Sequence, residues 1–248
     1  MRITSRNNEK AFVKLRDSAR ARNTEGLFVL EGARLCFDAL ESGYNVQELF
    51  YTETALSRYA ERVTALIENS VAAFEAADEV AQKLADTVNS QGVFCTVKMK
   101  ETAEICPSSP KKYVALDGIQ NPDNLGAISR TAEALGVDAL IVGGGCDIYN
   151  PKALRASMGA LLRLPVISVP SILPVLQKAR ENGLPVLSTV PDSAAEDITT
   201  VDFSHEGNGV SKEVKAFSDR FITIPMGGKA ESLNASAAAT ITMWEMMK

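Results

Sequence analysis

The second half of the chain sets five short apolar runs at intervals: YVALDGI from Tyr113, DALIVGGG from Asp138, PVISV from Pro165, LPVLSTV from Leu184 and RFITIPM from Arg220. Stretches of ten or so residues with helical periodicity separate them, around 125–135, 152–161 and 172–182, and the apolar stretch SAAATITMWEMM closes the chain as a last helix. Runs this short and this uniformly apolar predict strands of a parallel sheet covered by helices on both faces. On such sheets ligands sit at the carboxyl ends of the strands, so the residues that follow each run are the candidates for function.

The first half alternates in a similar way. Helical patterns over 10–22, 33–41, 53–69 and 77–85 are interleaved with the extended runs GLFVLEG, VQELFY and GVFCTVKM, which predicts a small α/β domain. The stretch CPSSPKK, 106–112, breaks the periodicity with two prolines and two serines. The expected organisation is therefore an N-terminal domain over 1–105, a linker over 106–112 and a second domain over 113–248, a division that suits 248 residues.

Charge is uneven. Residues 1–24 hold seven basic side chains against two acidic ones, whereas the whole chain is at net −5. This basic arm, with Arg16 and Arg20, is either a phosphate-contacting surface or the solvated face of an amphipathic first helix. The four cysteines are far apart and a single histidine accompanies them, which argues against a structural zinc site. No run reaches the ~20 apolar residues of a membrane span and MRITSRNNEK lacks a secretory core, so a soluble cytoplasmic protein is expected. GIQNPDNLG after the first strand lacks the glycine spacing of a dinucleotide-binding turn, which argues against a nucleotide-dependent oxidoreductase.

Three stretches fall at predicted strand ends: NPDNLGAISRTAEALG, NPKALRASMGALLRLPV, and EGNGVS followed by ITIPMGGKAESLNASAAATITMWEMM. In this order and spacing they resemble the three motifs of the TrmH (SpoU) family of RNA ribose 2'-O-methyltransferases in the SPOUT superfamily. The resemblance covers 113–248. It extends more loosely to the first domain, where GLFVLEGARLCFDALESGYNVQELF and DTVNSQGVFCTV are similar to the family's ribosomal-protein-like substrate-binding domain. It implies a C-terminal trefoil-knotted parallel-sheet domain, S-adenosyl-L-methionine as methyl donor, RNA as substrate, no metal, and a homodimer formed through the C-terminal helix. An N-terminal domain of this size favours ribosomal over transfer RNA.

The same resemblance implies site residues. Asn124 and Arg130, six positions apart, match the family's motif-one Asn and catalytic Arg; Glu206, Ser232 and Asn234 complete the catalytic set. Ser204, Gly207, Ile224, Met226 and Leu233 match the cofactor-binding positions. Lys152 and Arg155 of the second motif are candidates for RNA phosphate, with Arg155 on an exposed helical turn or, equally, in a salt bridge at a dimer interface. Ser204 stands where the family has Gly, which keeps a catalytically weakened RNA-binding member open as an alternative, beside a transfer-RNA methyltransferase.

Overall fold

The computed structural model describes residues 2–3, 6–101, 107, 111–192, 194–201, 212–228 and 232–248. The chain forms two units: 1–101 with Tyr149–Arg163, and 102–148 with Leu164–Lys248.

The first unit runs β1 (Arg2–Ile3), α1 (Arg6–Asp17), α2 (Ala19–Glu25), β2 (Leu27–Glu31), α3 (Ala33–Glu41), β3 (Val46–Tyr51), α4 (Glu53–Arg58), α5 (Ala60–Asn69), β4 (Ala72–Glu75), α6 (Asp78–Leu84) and β5 (Val93–Lys98). Its strands form one mixed sheet in the order β1-β4-β3-β5-β2. The apolar spacing of α1 puts Phe12 and Leu15 against this sheet, and Phe12 meets Phe50 and Phe94 edge-on at ring distances of 5.7 and 5.9 Å. Burying each such ring stabilises the unit by about 1.5–3 kcal/mol. The helical pattern over 10–22 resolves into two helices because Ser18 caps the second, its Oγ accepting from Ala21 N at 3.2 Å. Likewise 53–69 is two helices, parted at Tyr59 (φ −125°, ψ 39°).

The remaining elements are β6 (Tyr113–Asp117), α7 (Pro122–Leu135), β7 (Ala139–Gly143), α8 (Pro151–Ala156), α9 (Ala160–Arg163), β8 (Val166–Val169), α10 (Leu173–Glu181), β9 (Leu187–Thr189), β10 (Glu196–Asp197), α11 (Lys212–Phe217), β11 (Arg220–Thr223) and α12 (Ala235–Met246). Of these, α8 and α9 fall within the first unit. The strands of the second unit form two three-stranded sheets, β6-β7-β8 and β10-β11-β9, and every pairing is parallel. Ala115, Ile141, Ile167, Ile172 and Leu176 form the core of the first sheet, and Leu187, Ile198 and Ile222 that of the second. The parallel sheet read from the sequence is thus present, split in two. Among the described residues no helix is long and apolar enough to cross a membrane.

The helix after the first strand begins three residues earlier than its apolar pattern. Asn121 caps it, Oδ1 accepting from Asp123 N at 2.8 Å, and Pro122 fills the first position, where no backbone donor is needed. Asn124 is therefore a residue of the first helical turn. The GGG of 143–145 is a tight turn: Gly144 and Gly145 have φ of 61° and 74°, and a Cβ on Gly145 would lie 2.4 Å from the Ile119 carbonyl oxygen.

Candidate active site

Leu187 to Thr189 of β9 run in register with Arg220 to Ile222 of β11. Beyond the carboxyl ends of this pair opens a cavity of about 650 Å³. Three stretches wall it. Thr189, Val190, Pro191, Asp192, Ala195 and Asp197 come from the segment that begins in β9; Thr223 ends β11 and Ile224, Pro225 and Met226 follow it; Ser232, Leu233 and Ala238 come from the entry to α12. Four sequence-predicted residues, Ile224, Met226, Ser232 and Leu233, are thus brought together. Met226 and Leu233 remain 38% and 39% exposed, two large apolar side chains held open at a cavity wall, which suits a flat apolar ligand.

Asn234 is the N-cap of α12. Its Oδ1 accepts from Ser236 N at 2.9 Å and from Ser236 Oγ at 2.7 Å, which leaves its amide Nδ2 without a partner among the described residues. The same residue therefore starts the helix and presents donors beside Leu233. A second cavity of about 190 Å³ shares Thr189 and Ala238 with the first and reaches Asp117 at the end of β6, Ile119 past it, Ile128 of α7 and Thr242 of α12.

Asn124 and Arg130 line neither cavity. Asn124 is half-buried, and Arg130 lies exposed nearly two turns further along α7, with no ion pair to any described residue. Ile128, between them in sequence, does reach the smaller cavity. Ser204, Glu206 and Gly207 lie outside the described residues, as does His205.

Two of the basic residues differ from expectation. Arg16 does not stand free on a solvated face: its Nη1 donates to the carbonyls of Lys83, Leu84 and Ala85 at 3.0–3.1 Å, closing the end of α6, and its Nε donates to Asp17 at 2.7 Å. That hydrogen bond raises the Arg16 pKa and lowers that of Asp17. Arg155 is not on an exposed turn either. Its Nη2 pairs with Asp86 at 2.5 Å and its Nη1 lies 3.6 Å from Glu31, with a quarter of the side chain exposed, because α8 packs on β2. Arg20 and Lys152 are exposed; the backbone N of Lys152 donates to the N-cap Asn150 at 2.9 Å.

Sequence reasoning missed Thr189, Asp192, Asp197 and Thr223. The signal was present: a PDS turn follows LPVLSTV directly, at a strand's carboxyl end. Asp192 and Asp197 accept from Ala194 N and Thr199 N through one carboxylate oxygen each, both at 2.9 Å. Carboxylates at this wall suit hydroxyl or ammonium groups on a ligand.

A family model described as the SpoU rRNA Methylase family matches residues 111–244, more than half of the chain. The chain belongs to the SpoU rRNA methylase family. It is accordingly an RNA methyltransferase, and a second model, the MRM3-like substrate binding domain, matches residues 7–95. Among SpoU relatives, a 23S rRNA (uridine(2479)-2'-O)-methyltransferase of Streptomyces viridochromogenes is 30% identical, the alignment covering 100% of this chain and 92% of the relative. A 23S rRNA (guanosine(2553)-2'-O)-methyltransferase of Bacillus subtilis is 27% identical over 91% of this chain and 90% of its own. Among solved structures, the SpoU methyltransferase AviRb of Streptomyces viridochromogenes in complex with the cofactor AdoMet superposes with a TM-score of 0.86 at 28% identity, covering 98% of this chain and 97% of that one.

Proposed function

We propose that the protein transfers a methyl group from S-adenosyl-L-methionine to a ribose 2'-hydroxyl of RNA, and of ribosomal RNA in preference to transfer RNA. The observation that carries this reading is the cavity at the carboxyl ends of β9 and β11, where Ile224, Met226, Ser232 and Leu233 converge. Its volume lies in the range of about 300–1,000 Å³ usual for ligand sites. Apolar side chains suit an adenine ring, and Thr189, Thr223, Asp192 and Asp197 suit ribose hydroxyls and an ammonium group. Two relatives that align along nine-tenths or more of the chain are 23S rRNA 2'-O-methyltransferases, which supports the choice of RNA.

S-adenosyl-L-methionine supplies an electrophilic methyl on a sulfonium. The chain's own residues must hold the acceptor ribose and stabilise negative charge as its hydroxyl loses a proton. Arg130, exposed and without a partner among the described residues, serves as that charged group. A guanidinium has a pKa above about 12, so a neutral Arg130 acting as base near pH 7 would cost roughly 7 kcal/mol at ~1.36 kcal/mol per unit. It acts instead as a fixed cation on the developing alkoxide. Asn124, Ser232 and the Nδ2 of Asn234 donate to the reacting groups, Glu206 holds Arg130 in place by resemblance, and Ser204 and Gly207 complete the donor site by resemblance. Arg20 and Lys152 contact RNA phosphates from exposed positions.

The second unit is a trefoil knot in this reading, and the protein works as a cytoplasmic homodimer joined through α12. Trp244 supports the dimer, since it is 56% exposed on a helix whose Met243 is fully buried. One experiment tests the activity: incubate the protein with labelled S-adenosyl-L-methionine and either ribosomal or transfer RNA. Label in ribose of ribosomal RNA is expected; label in bases, or none, would refute the reading.

A further inference from the structure

Residues 149–163 lie inside the stretch matched by the methylase family, yet they pack with the substrate-binding unit. Among the described residues, at least three attachments hold them. The ring of Tyr149 lies 4.5 Å from that of Phe28 at 30°. Arg155 pairs with Asp86 at 2.5 Å and approaches Glu31 at 3.6 Å. Glu31, 7% exposed, also accepts from the backbone of Asp86 at 2.9 Å and of Thr87 at 3.3 Å, so one carboxylate joins Arg155 to the loop after α6. Arg163 donates from Nη1 to Asp38 at 2.7 Å and from Nη2 to the Met158 carbonyl at 3.1 Å.

The backbone is shaped for the third attachment. Met158 has φ 51°, rare for a residue with a side chain, and Gly159 follows at φ 88°. A Cβ on Gly159 would lie 2.2 Å from Asp38 Oδ2 and 2.4 Å from Arg163 Nη1, so only glycine leaves room for that ion pair. The break sets α8 and α9 apart so that each brings one arginine to a carboxylate.

Partly buried ion pairs add little net stability over apolar packing, but they fix geometry. Both ends of 149–163 continue into strands of the other unit, β7 before it and β8 after it. Tethering this connection to the substrate-binding unit is what the pairs accomplish. We propose that Arg155 and Arg163 are positioning residues: they clamp the β7–β8 connection to the substrate-binding unit, and methyl transfer to RNA is efficient only while the clamp is closed. This rests on the RNA methyltransferase reading above. It removes Arg155 from the phosphate ligands, because its Nη2 donates to Asp86 and its Nη1 is buried beside Glu31.

The test compares Arg155→Asp, Asp86→Arg and their double swap, with Arg155→Gln as a milder variant should the charge reversal prevent folding. Kinetics with ribosomal RNA, calorimetry with S-adenosyl-L-methionine and hydrogen exchange of 151–163 are measured on each full-length protein. The clamp predicts that each single change lowers kcat by about tenfold with donor affinity unchanged, that exchange of 151–163 quickens, and that the swap restores both. A raised KM for RNA that the swap fails to restore would identify Arg155 as a phosphate ligand and overturn the proposal, as would single variants that match the wild type. A wild type that transfers no methyl group at all would instead refute the methyltransferase reading; the exchange data then decide the clamp alone, unchanged exchange in Arg155→Gln overturning it.

Discussion

Gly143 and Ile172 are in such close contact that the end of β7 has no room for a side chain. A Cβ on Gly143 would lie 2.3 Å from Ile172 Cγ2 and 2.9 Å from Ile172 N, and the backbone atom cannot step aside as a side chain can. Gly143→Ala should therefore destabilise the protein by about 1–3 kcal/mol, the usual cost of overpacking a core. Thermal unfolding checks it; an unchanged midpoint would mean that the start of α10 yields freely.

Arg130→Ala should lower methyl transfer about 100-fold or more, the scale of losing one preorganised charge stabiliser. Donor affinity should hardly change, since Arg130 lines neither cavity. Single-turnover rates and calorimetry separate the two effects, and retention of a tenth of the wild-type rate would remove Arg130 from the mechanism.

The dimer proposed through α12 predicts that Trp244→Glu yields a monomer of 26.6 kDa, because the change places a charge in the exposed apolar surface of the proposed interface. Light scattering at micromolar concentration is decisive. A variant that remains dimeric would place the interface elsewhere.

The Arg16 and Asp17 pair gives a pH signature with a definite sign. The pKa of Asp17 is lowered in the folded state by the hydrogen bond from Arg16, so its stabilisation is complete above the ordinary carboxylate range near pH 4 and is lost as pH falls through the lower folded value. Asp17 is 57% exposed, which limits the effect to less than about 1 kcal/mol. Asp17→Asn should melt slightly below the wild type at pH 7, with the gap closing in acid. A gap that widens in acid would contradict the assignment.

Much of the fold was legible. The helix over 33–41 and the strand over 46–51 are found where the pattern puts them, because the helix has an apolar face, the strand buries Leu49, Phe50 and Tyr51 in succession, and glycines and polar residues flank both. The strand Ala72–Glu75 was not read: AAFE is four residues long, and its parallel pairings with β3 and β1 make it a strand. The pattern over 152–161 promised one helix, whereas Met158 takes the left-handed conformation, which no propensity would assign to it. At the site, Ile224, Met226, Ser232 and Leu233 were found through motif resemblance. Asp192 and Asp197 were not, because an acidic turn looks the same whether it faces solvent or a cavity. The pairing of Arg155 with Glu31 and Asp86 depends on partners 124 and 69 positions away in sequence, which a local pattern cannot carry.

Thr131 and Thr240 face each other at 3.4 Å, 109 positions apart, where α12 packs on α7. A ribosome adds about 5–20 residues per second, so α7 emerges some 5–20 s before the helix that covers it. During that interval the nascent chain presents the uncovered side of α7 to whatever folding helpers are near. The larger cavity, whose walls include Leu233 and Ala238, does not yet exist. Donor binding is thus a property the polypeptide acquires late in its own synthesis, and a stalled or shortened translation product would hold a folded substrate-binding sheet without the means to methylate what it holds.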